Sequence, residues 1–282
     1  MPMISSAALV CCSDGRKNDE KDKIALLQNK LGNIFAQVKP SKYIYAQDTT
    51  VTSGTAKQRA MQLTDFFAEN TSHIFDISGG DAANEILPFL DYDIIGKSNS
   101  LFWGYSDLTT VINAVYTKTG KPSVLYQIRN VVGGYAALQE KRVNDYFSGS
   151  SDLFDVEYRM LVGSGMSGTV VGGNIRCLLK LAGTEFFPDL NGKILLLESL
   201  GGGEARMRAC LSQLKQLGVF EKINGIILGT FTEMEKNNIR PTMEELLLDI
   251  TESKIPVAKT DEIGHGSDSK AIFIGKETVI QS

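Results

Sequence analysis

Short apolar runs that end in small or polar residues alternate with helical periodicity along this chain, and that alternation restricts the fold more than any other feature. Residues 7–12 are apolar and close on a polar turn at 13–16, as a buried first strand would. Ile24, Leu27 and Leu31 then recur at helical spacing, and Gly32 ends the run. Residues 43–46 read as a second strand. The spacing of Ala56, Ala60, Leu63 and Phe67 predicts a helix over 53–67, capped by Ser53 or Thr55. Residues 73–77 form a strand that runs into Ser78-Gly79-Gly80. A helix over 82–90 follows, bent or shortened by Pro88. Residues 101–103 end another strand. Leu108, Val111, Ile112 and Val115 start the next helix, Gly120 closes it, and residues 123–126 supply one more strand. Strands separated by helices belong to a parallel sheet with helices on both faces, so the fold class is α/β.

The stretch from about 131 to 168 breaks the rhythm. It holds Gly133-Gly134, a Ser148-Gly149-Ser150-Ser151 tract and Gly163-Ser164-Gly165, with aromatic residues at Tyr146, Phe147 and Phe154. We read it as a crossing between an N-terminal domain, 1–155, and a smaller C-terminal β/α domain, 156–282. The second domain has strands at 169–174, 193–198, 225–231 and 256–259. Its helices pass through Cys177 and Leu181, along Met207, Cys210, Leu211, Leu214 and Leu217, and after Pro241. Residues 271–274 and 278–280 flank Gly275-Lys276 as a closing hairpin.

The 282 residues, 43% hydrophobic, suffice for a large core. A net charge of −4 gives no electrostatic reason to expect nucleic acid or an anionic membrane as partner. No apolar run is long enough to span a bilayer, and the first residues lack the basic start of a secretory signal. Cys11, Cys12, Cys177 and Cys210 lie in apolar segments without C-x-x-C spacing, as expected of reduced core thiols in a cytoplasmic protein, with a disulfide or zinc role as the minor alternative.

The chemistry centres on Gly104-Tyr105-Ser106-Asp107, between a strand and a helix. A serine on such a turn stands clear of the sheet, above a helix N-terminus that favours developing negative charge. The pattern lacks the second glycine of G-x-S-x-G, and an N-capping Ser106 or Asp107 is the alternative. A serine nucleophile needs a base oriented by a carboxylate. Of the two histidines, His73 starts its strand, at the wrong end of a parallel sheet for a site. His265, between Gly264 and Gly266 in a loop after a strand, is the candidate base; a solvated loop histidine is the alternative. Glu198, after four aliphatic residues and before Ser199-Leu200-Gly201-Gly202-Gly203, is the candidate carboxylate, against a solvated strand-end glutamate. Oxyanion donors would be the backbone N–H of Asp107 and, from the Gly79-Gly80-Asp81 turn, that of Gly80; a tight turn with positive φ explains the same glycines. Ser78 is a competing nucleophile. The Gly201–Gly203 run lacks the Lys-Ser/Thr of a phosphate loop. Asn174 either contacts substrate or caps a helix.

Five blocks carry a resemblance: residues 78–92 beginning Ser-Gly-Gly-Asp, 102–109 containing Trp-Gly-Tyr-Ser-Asp, 171–176 reading Val-Gly-Gly-Asn-Ile-Arg, 195–198 reading Leu-Leu-Leu-Glu, and Ile263-Gly264-His265. Together and in this order they resemble the LD-carboxypeptidase family of serine peptidases, which includes muramoyltetrapeptide carboxypeptidases and microcin C immunity hydrolases. The resemblance implies a Ser106–Glu198–His265 triad and a cleft between two domains, the first like class I amidotransferase folds. It implies no metal or organic cofactor, a small peptide substrate, and a cytoplasmic homodimer. It favours cleavage of a murein tetrapeptide before its terminal D-Ala, with peptidyl- or aminoacyl-nucleotides as the second substrate class. A non-catalytic ligand-binding module is a third possibility. The terminal carboxylate of a carboxypeptidase substrate needs donors or a cation, for which Asn174, the Gly201–Gly203 amides and Arg206 are candidates. Where the family often has Gly-Gly-Tyr-Gly, this chain has Gly79-Gly80-Asp81-Ala82.

Overall fold

The computed structural model describes residues 6–281. In chain order, the first part holds β1 (Ala7–Val10), α1 (Lys21–Leu31), β2 (Val38–Pro40), α2 (Ala56–Ala68), β3 (His73–Asp76), α3 (Tyr92–Lys97), β4 (Leu101–Gly104), α4 (Thr109–Thr119), β5 (Ser123–Leu125) and α5 (Ala136–Phe147). The second part holds β6 (Arg159–Val162), β7 (Gly165–Asn174), α6 (Ile175–Leu179), β8 (Ile194–Ser199), α7 (Glu204–Gln216), β9 (Gly225–Phe231), α8 (Thr232–Lys236), α9 (Met243–Ile250), β10 (Val257–Lys259), β11 (Ile272–Ile274) and β12 (Glu277–Gln281).

The strands form two six-stranded sheets, ordered β11-β5-β4-β3-β1-β2 and β12-β7-β8-β9-β10-β6. The first is parallel except for β11, which runs antiparallel to β5. The second is parallel from β7 to β10, with antiparallel β12 and β6 at its edges. Strand alternation divides the core. Ala7 and Leu9 of β1 pack with Ile24, Leu27 and Leu31 of α1 and Val143 of α5. Ala8 and Val10 face the other way, into a cluster with α2 and α4 that continues into Val170, Ile194, Leu196 and Ile227 of the second sheet. Leu195, Leu197 and Leu228 turn outward under Met207, Leu211 and Leu214 of α7 and Leu246 and Leu247 of α9. Helix α4 thus lies between the two sheets. It is tied to β7 by Asn113, whose side chain accepts from Gly172 N at 2.8 Å and donates to Gly172 O at 2.9 Å.

Several local expectations hold. The α2 helix is capped by Thr55 in a reciprocal arrangement with Gln58. Gly120 ends α4 in the left-handed region at φ 71°. Four others need correction. Residues 43–46 form no strand; Tyr45 makes only an isolated bridge to Arg16, and β2 lies earlier. Pro88, which cannot donate to a helical ladder, sits in a 3-10 segment, Ala83–Phe89, followed by the separate α3. The crossing contains the helix α5. Finally, β11 and β12 do not pair with each other. Between them the chain passes from one sheet to the other, so β11 extends the first sheet and β12 the second. At this crossover a Cβ on Gly275 would come 2.5 Å from the Tyr116 ring, so the glycine serves close packing rather than a hairpin turn.

Candidate active site

Ser106 follows the end of strand β4 with a left-handed backbone, φ 56°. That conformation is costly for a residue other than glycine and marks a constrained turn. Gly104 makes it possible: a Cβ there would lie 2.7 Å from Leu108 Cβ. The second glycine of the familiar elbow pattern is replaced by Leu108, which is buried and occupies the space Gly104 leaves.

Two other turns converge on this serine. Glu198 lies near the end of β8, fully buried. His265 lies in the loop between β10 and β11. Its Nδ1 is 2.6 Å from Glu198 Oε2, and its Nε2 is 3.2 Å from Ser106 Oγ. Given a carboxylate at Nδ1, that nitrogen carries the proton, which leaves Nε2 free to accept from the serine hydroxyl. The glycine before His265 is required by space. Gly264 has φ 151°, and a Cβ there would fall 1.8 Å from Thr230 Oγ1. Tyr105 packs its ring against His265, centroids 4.5 Å apart. Burial, then the charge of Glu198, pushes the Tyr105 phenol well above its ordinary range, so it stays neutral.

Asp107, next after Ser106, has no exposed surface. Its carboxylate accepts from Ser13 Oγ at 2.6 Å, Ala83 N at 2.8 Å and Lys180 Nζ at 2.6 Å. A buried carboxylate needs such partners. They hold the Asp107 backbone, and therefore its amide, against the rest of the first sheet. The Gly79-Gly80 turn is also fitted to its surroundings: Gly80 has φ 128°, and a Cβ there would collide with the Asp14 carboxyl at 2.1 Å. Asp81 is paired with Arg176 and, at 3.0 Å, with Lys180. The departure at Gly79-Gly80-Asp81-Ala82 therefore comes with two cations on or just after α6, and Lys180 joins this turn to Asp107.

The remaining candidates fall outside the hydrogen-bonded chain. Ser78 donates to Asp76 Oδ1 at 2.5 Å and accepts from Ser13 N at 3.1 Å, so its hydroxyl is engaged away from either histidine. His73 accepts from the Trp103 indole at 3.0 Å, among aromatic rings. Asn174 caps α6, its Oδ1 accepting from Cys177 N at 3.3 Å. In the Gly201–Gly203 loop the Gly202 amide is taken by Glu233 Oε2 at 2.6 Å. Among the described residues no group of three His, Cys, Asp or Glu side chains is arranged to hold a metal. The cysteines are unpaired. The alternative of a capping Ser106 or Asp107 is not seen, since the Asp107 carboxylate turns to Ser13, Ala83 and Lys180 instead, and Lys180 is not among the residues the sequence singles out. The spacing that could have exposed Lys180 is Arg176 and Lys180 at i and i+4, which share a helical face and can meet one turn.

A strained serine, an imidazole within hydrogen-bond reach and a buried carboxylate behind it, set between two α/β layers, are the equipment of a serine hydrolase. Comparison with known proteins gives the family. Residues 7–126 match the LD-carboxypeptidase N-terminal domain, and residues 167–280 match the LD-carboxypeptidase C-terminal domain. The chain belongs to the LD-carboxypeptidase family. It is 28% identical to the microcin C7 self-immunity protein MccF of Escherichia coli, over 88% of this chain and 84% of that one. It is 26% identical to a probable murein peptide carboxypeptidase of Bacillus subtilis, over 89% and 82%. Its fold matches the crystal structure of the muramoyltetrapeptide carboxypeptidase from Oxalobacter formigenes with a TM-score of 0.79 at 22% identity, covering 99% of this chain and 95% of that one.

Proposed function

We propose that this enzyme is a serine carboxypeptidase that releases the C-terminal D-amino acid from a murein tetrapeptide. The observation that carries the proposal is the continuous hydrogen-bonded chain Ser106–His265–Glu198. In this reading His265 Nε2 takes the proton of Ser106 Oγ as the oxygen attacks the carbonyl of the L,D-peptide bond. Glu198 stabilises the imidazolium that forms. The amides of Asp107 and Gly80 receive the oxyanion, a contribution worth on the order of 10²–10³ in rate per donor. His265 then protonates the leaving amine and the D-amino acid departs; water, giving a proton to His265, attacks the acyl-enzyme, and that proton returns to Ser106 Oγ as the ester bond breaks.

Family membership and the resemblance to a murein peptide carboxypeptidase support this substrate class. A second reading, hydrolysis of peptidyl- or aminoacyl-nucleotides, draws support from the similarity to the self-immunity protein. A nucleobase would gain most from an exposed aromatic platform. The chain's single tryptophan, Trp103, is 1% exposed and committed to the core, so it cannot supply one. The family resemblance also implies a homodimer working in the cytoplasm; light scattering on the pure protein tests the dimer.

The decisive experiment incubates the protein with a defined murein tetrapeptide, its C-terminal amide and the D-Ala-D-Ala pentapeptide, and follows products by mass spectrometry. The expected result is loss of one alanine from the tetrapeptide acid, with far slower reaction of the other two. Equal rates for acid and amide would overturn the carboxypeptidase reading and bring nucleotide conjugates forward.

A further inference from the structure

A carboxypeptidase must hold the free carboxylate of the residue it releases. That carboxylate lies within about 4 Å of the scissile carbonyl, because only three bonds separate them. Its partner must therefore stand over the strand end that carries the nucleophile. The candidates drawn from sequence fit this poorly. Gly202 N is already bound to Glu233, the Asn174 oxygen caps α6, and Arg206 is exposed on α7. Lys180 and Arg176 are held by Asp107 and Asp81.

One guanidinium lies toward that strand end. Arg129 follows β5, and its Nη2 reaches the carbonyl of Ser78, just beyond β3, at 3.4 Å. Strand β4, which carries Ser106, lies between β5 and β3 in the sheet. A side chain spanning that gap passes the end of β4. Arg129 has no carboxylate partner among the described residues, and its Nε is buried with no hydrogen bond. It lines a cavity of about 210 Å³ with Arg16, Lys23, Gln127, Asn130 and Ser267, among others. Ser267 is two residues past His265, and the Asn130 amide donates to Gly266 O at 3.4 Å, so the cavity borders the loop that carries the base. Arg16 is paired with Glu20, yet its Nε is also buried without a partner. Burial, and next to it the charge of Arg16, pushes Arg129 below its ordinary range. Two guanidinium groups share one cavity with a single carboxylate, Glu20, and a charge held this way is stabilised by an incoming anion.

We infer that Arg129, assisted by Arg16, binds the C-terminal carboxylate of the substrate and so restricts the enzyme to cleavage of a terminal residue. The planar fork of a guanidinium can engage both carboxylate oxygens, which an ammonium cannot do. This inference rests on the carboxypeptidase reading above.

The test compares kcat/KM for the tetrapeptide acid and its C-terminal amide in the wild type, Arg129→Gln, Arg129→Lys and Arg16→Gln. The wild type should prefer the acid. Arg129→Gln should lose on the order of 100-fold on the acid and much less on the amide, so that the preference collapses. Arg129→Lys should fall between, and Arg16→Gln should show a smaller loss of the same kind. A folded Arg129→Gln enzyme that keeps the wild-type acid-to-amide ratio would overturn the inference, as would equal losses on both substrates, which indicate a structural role. Should Arg129→Gln fail to fold, unchanged ratios in both Arg129→Lys and Arg16→Gln would overturn it instead. A wild type indifferent to the carboxylate would remove the carboxypeptidase reading itself, which is a separate result.

Discussion

The chain has two histidines, and they stand at opposite ends of the first sheet's parallel strands. His73 opens β3 at its N-terminal end, in contact with the rings of Phe35, Phe75, Trp103 and Phe147. Its Nδ1 accepts the Trp103 indole hydrogen, and burial lowers its pKa to about 4. His265 meets the carboxyl end of β4, with a carboxylate on one nitrogen and a hydroxyl on the other. The contrast teaches that the chemistry of an imidazole lies in its partners. Aromatic walls and a single indole donor hold His73 neutral. His265 instead has a buried carboxylate partner, Glu198, on Nδ1.

The largest effects should come from breaking the His265 side of this comparison. Ser106→Ala and His265→Ala should each cut kcat by on the order of 10⁴–10⁶ while circular dichroism and melting stay near wild type. Because the two act as a unit, the double variant should be no slower than either single one. A much slower double variant, measured by single-turnover release of D-Ala, would separate them into independent contributors. Glu198→Gln comes next. It keeps the shape but removes the charge behind the imidazole and disturbs its tautomer, so kcat should fall by about 10³–10⁴. A loss confined to KM would mean that Glu198 serves binding instead.

The smallest catalytic effect belongs to His73. His73→Gln, which keeps an acceptor for Trp103, should leave kcat/KM within about twofold of wild type. Its signature is in stability. The folded pKa of about 4 lies below the ordinary value of 6.5, so between these pH values the unfolded chain binds a proton that the folded one does not. Stability is fully present above pH 6.5 and is lost as pH falls toward 4. Between pH 7 and pH 5 this group alone should cost the wild type roughly 2 kcal/mol, and His73→Gln should lack that increment in urea titrations at the two pH values. Parallel losses in both proteins would show that His73 titrates normally.

Legibility in the sequence followed locality. The strand–turn–helix around Ser106 could be read from one continuous stretch, because Gly104, the apolar period from Leu108 and the stop at Gly120 all act within one unit. The placement of Glu198 and His265 beside it could not, since they stand far from Ser106 in sequence, His265 by 159 residues. There strand ends, flanking glycines and family resemblance did the pointing. Helix α5 leaves no apolar period in the sequence, because only Gln139 and Val143 of its residues are buried. The closing hairpin fails as an expectation for the opposite reason. Two short apolar runs around a glycine look like a local pair, but β11 and β12 find their partners in different sheets, a choice made by tertiary contacts. Arg129 lay at the edge of the irregular crossing, where one cation among many carries no spacing signal until β5, β4 and β3 are set side by side.

The central claim is that Ser106 is a nucleophile activated by His265. A fluorophosphonate probe, followed by proteolysis and mass spectrometry, tests it most directly, since the probe requires an activated hydroxyl and leaves a covalent mark. The account predicts one adduct, on the peptide containing Ser106, formed rapidly in the wild type and His73→Gln enzymes and lost in His265→Ala. An adduct on Ser78, or labelling of Ser106 at the same rate without His265, would contradict it.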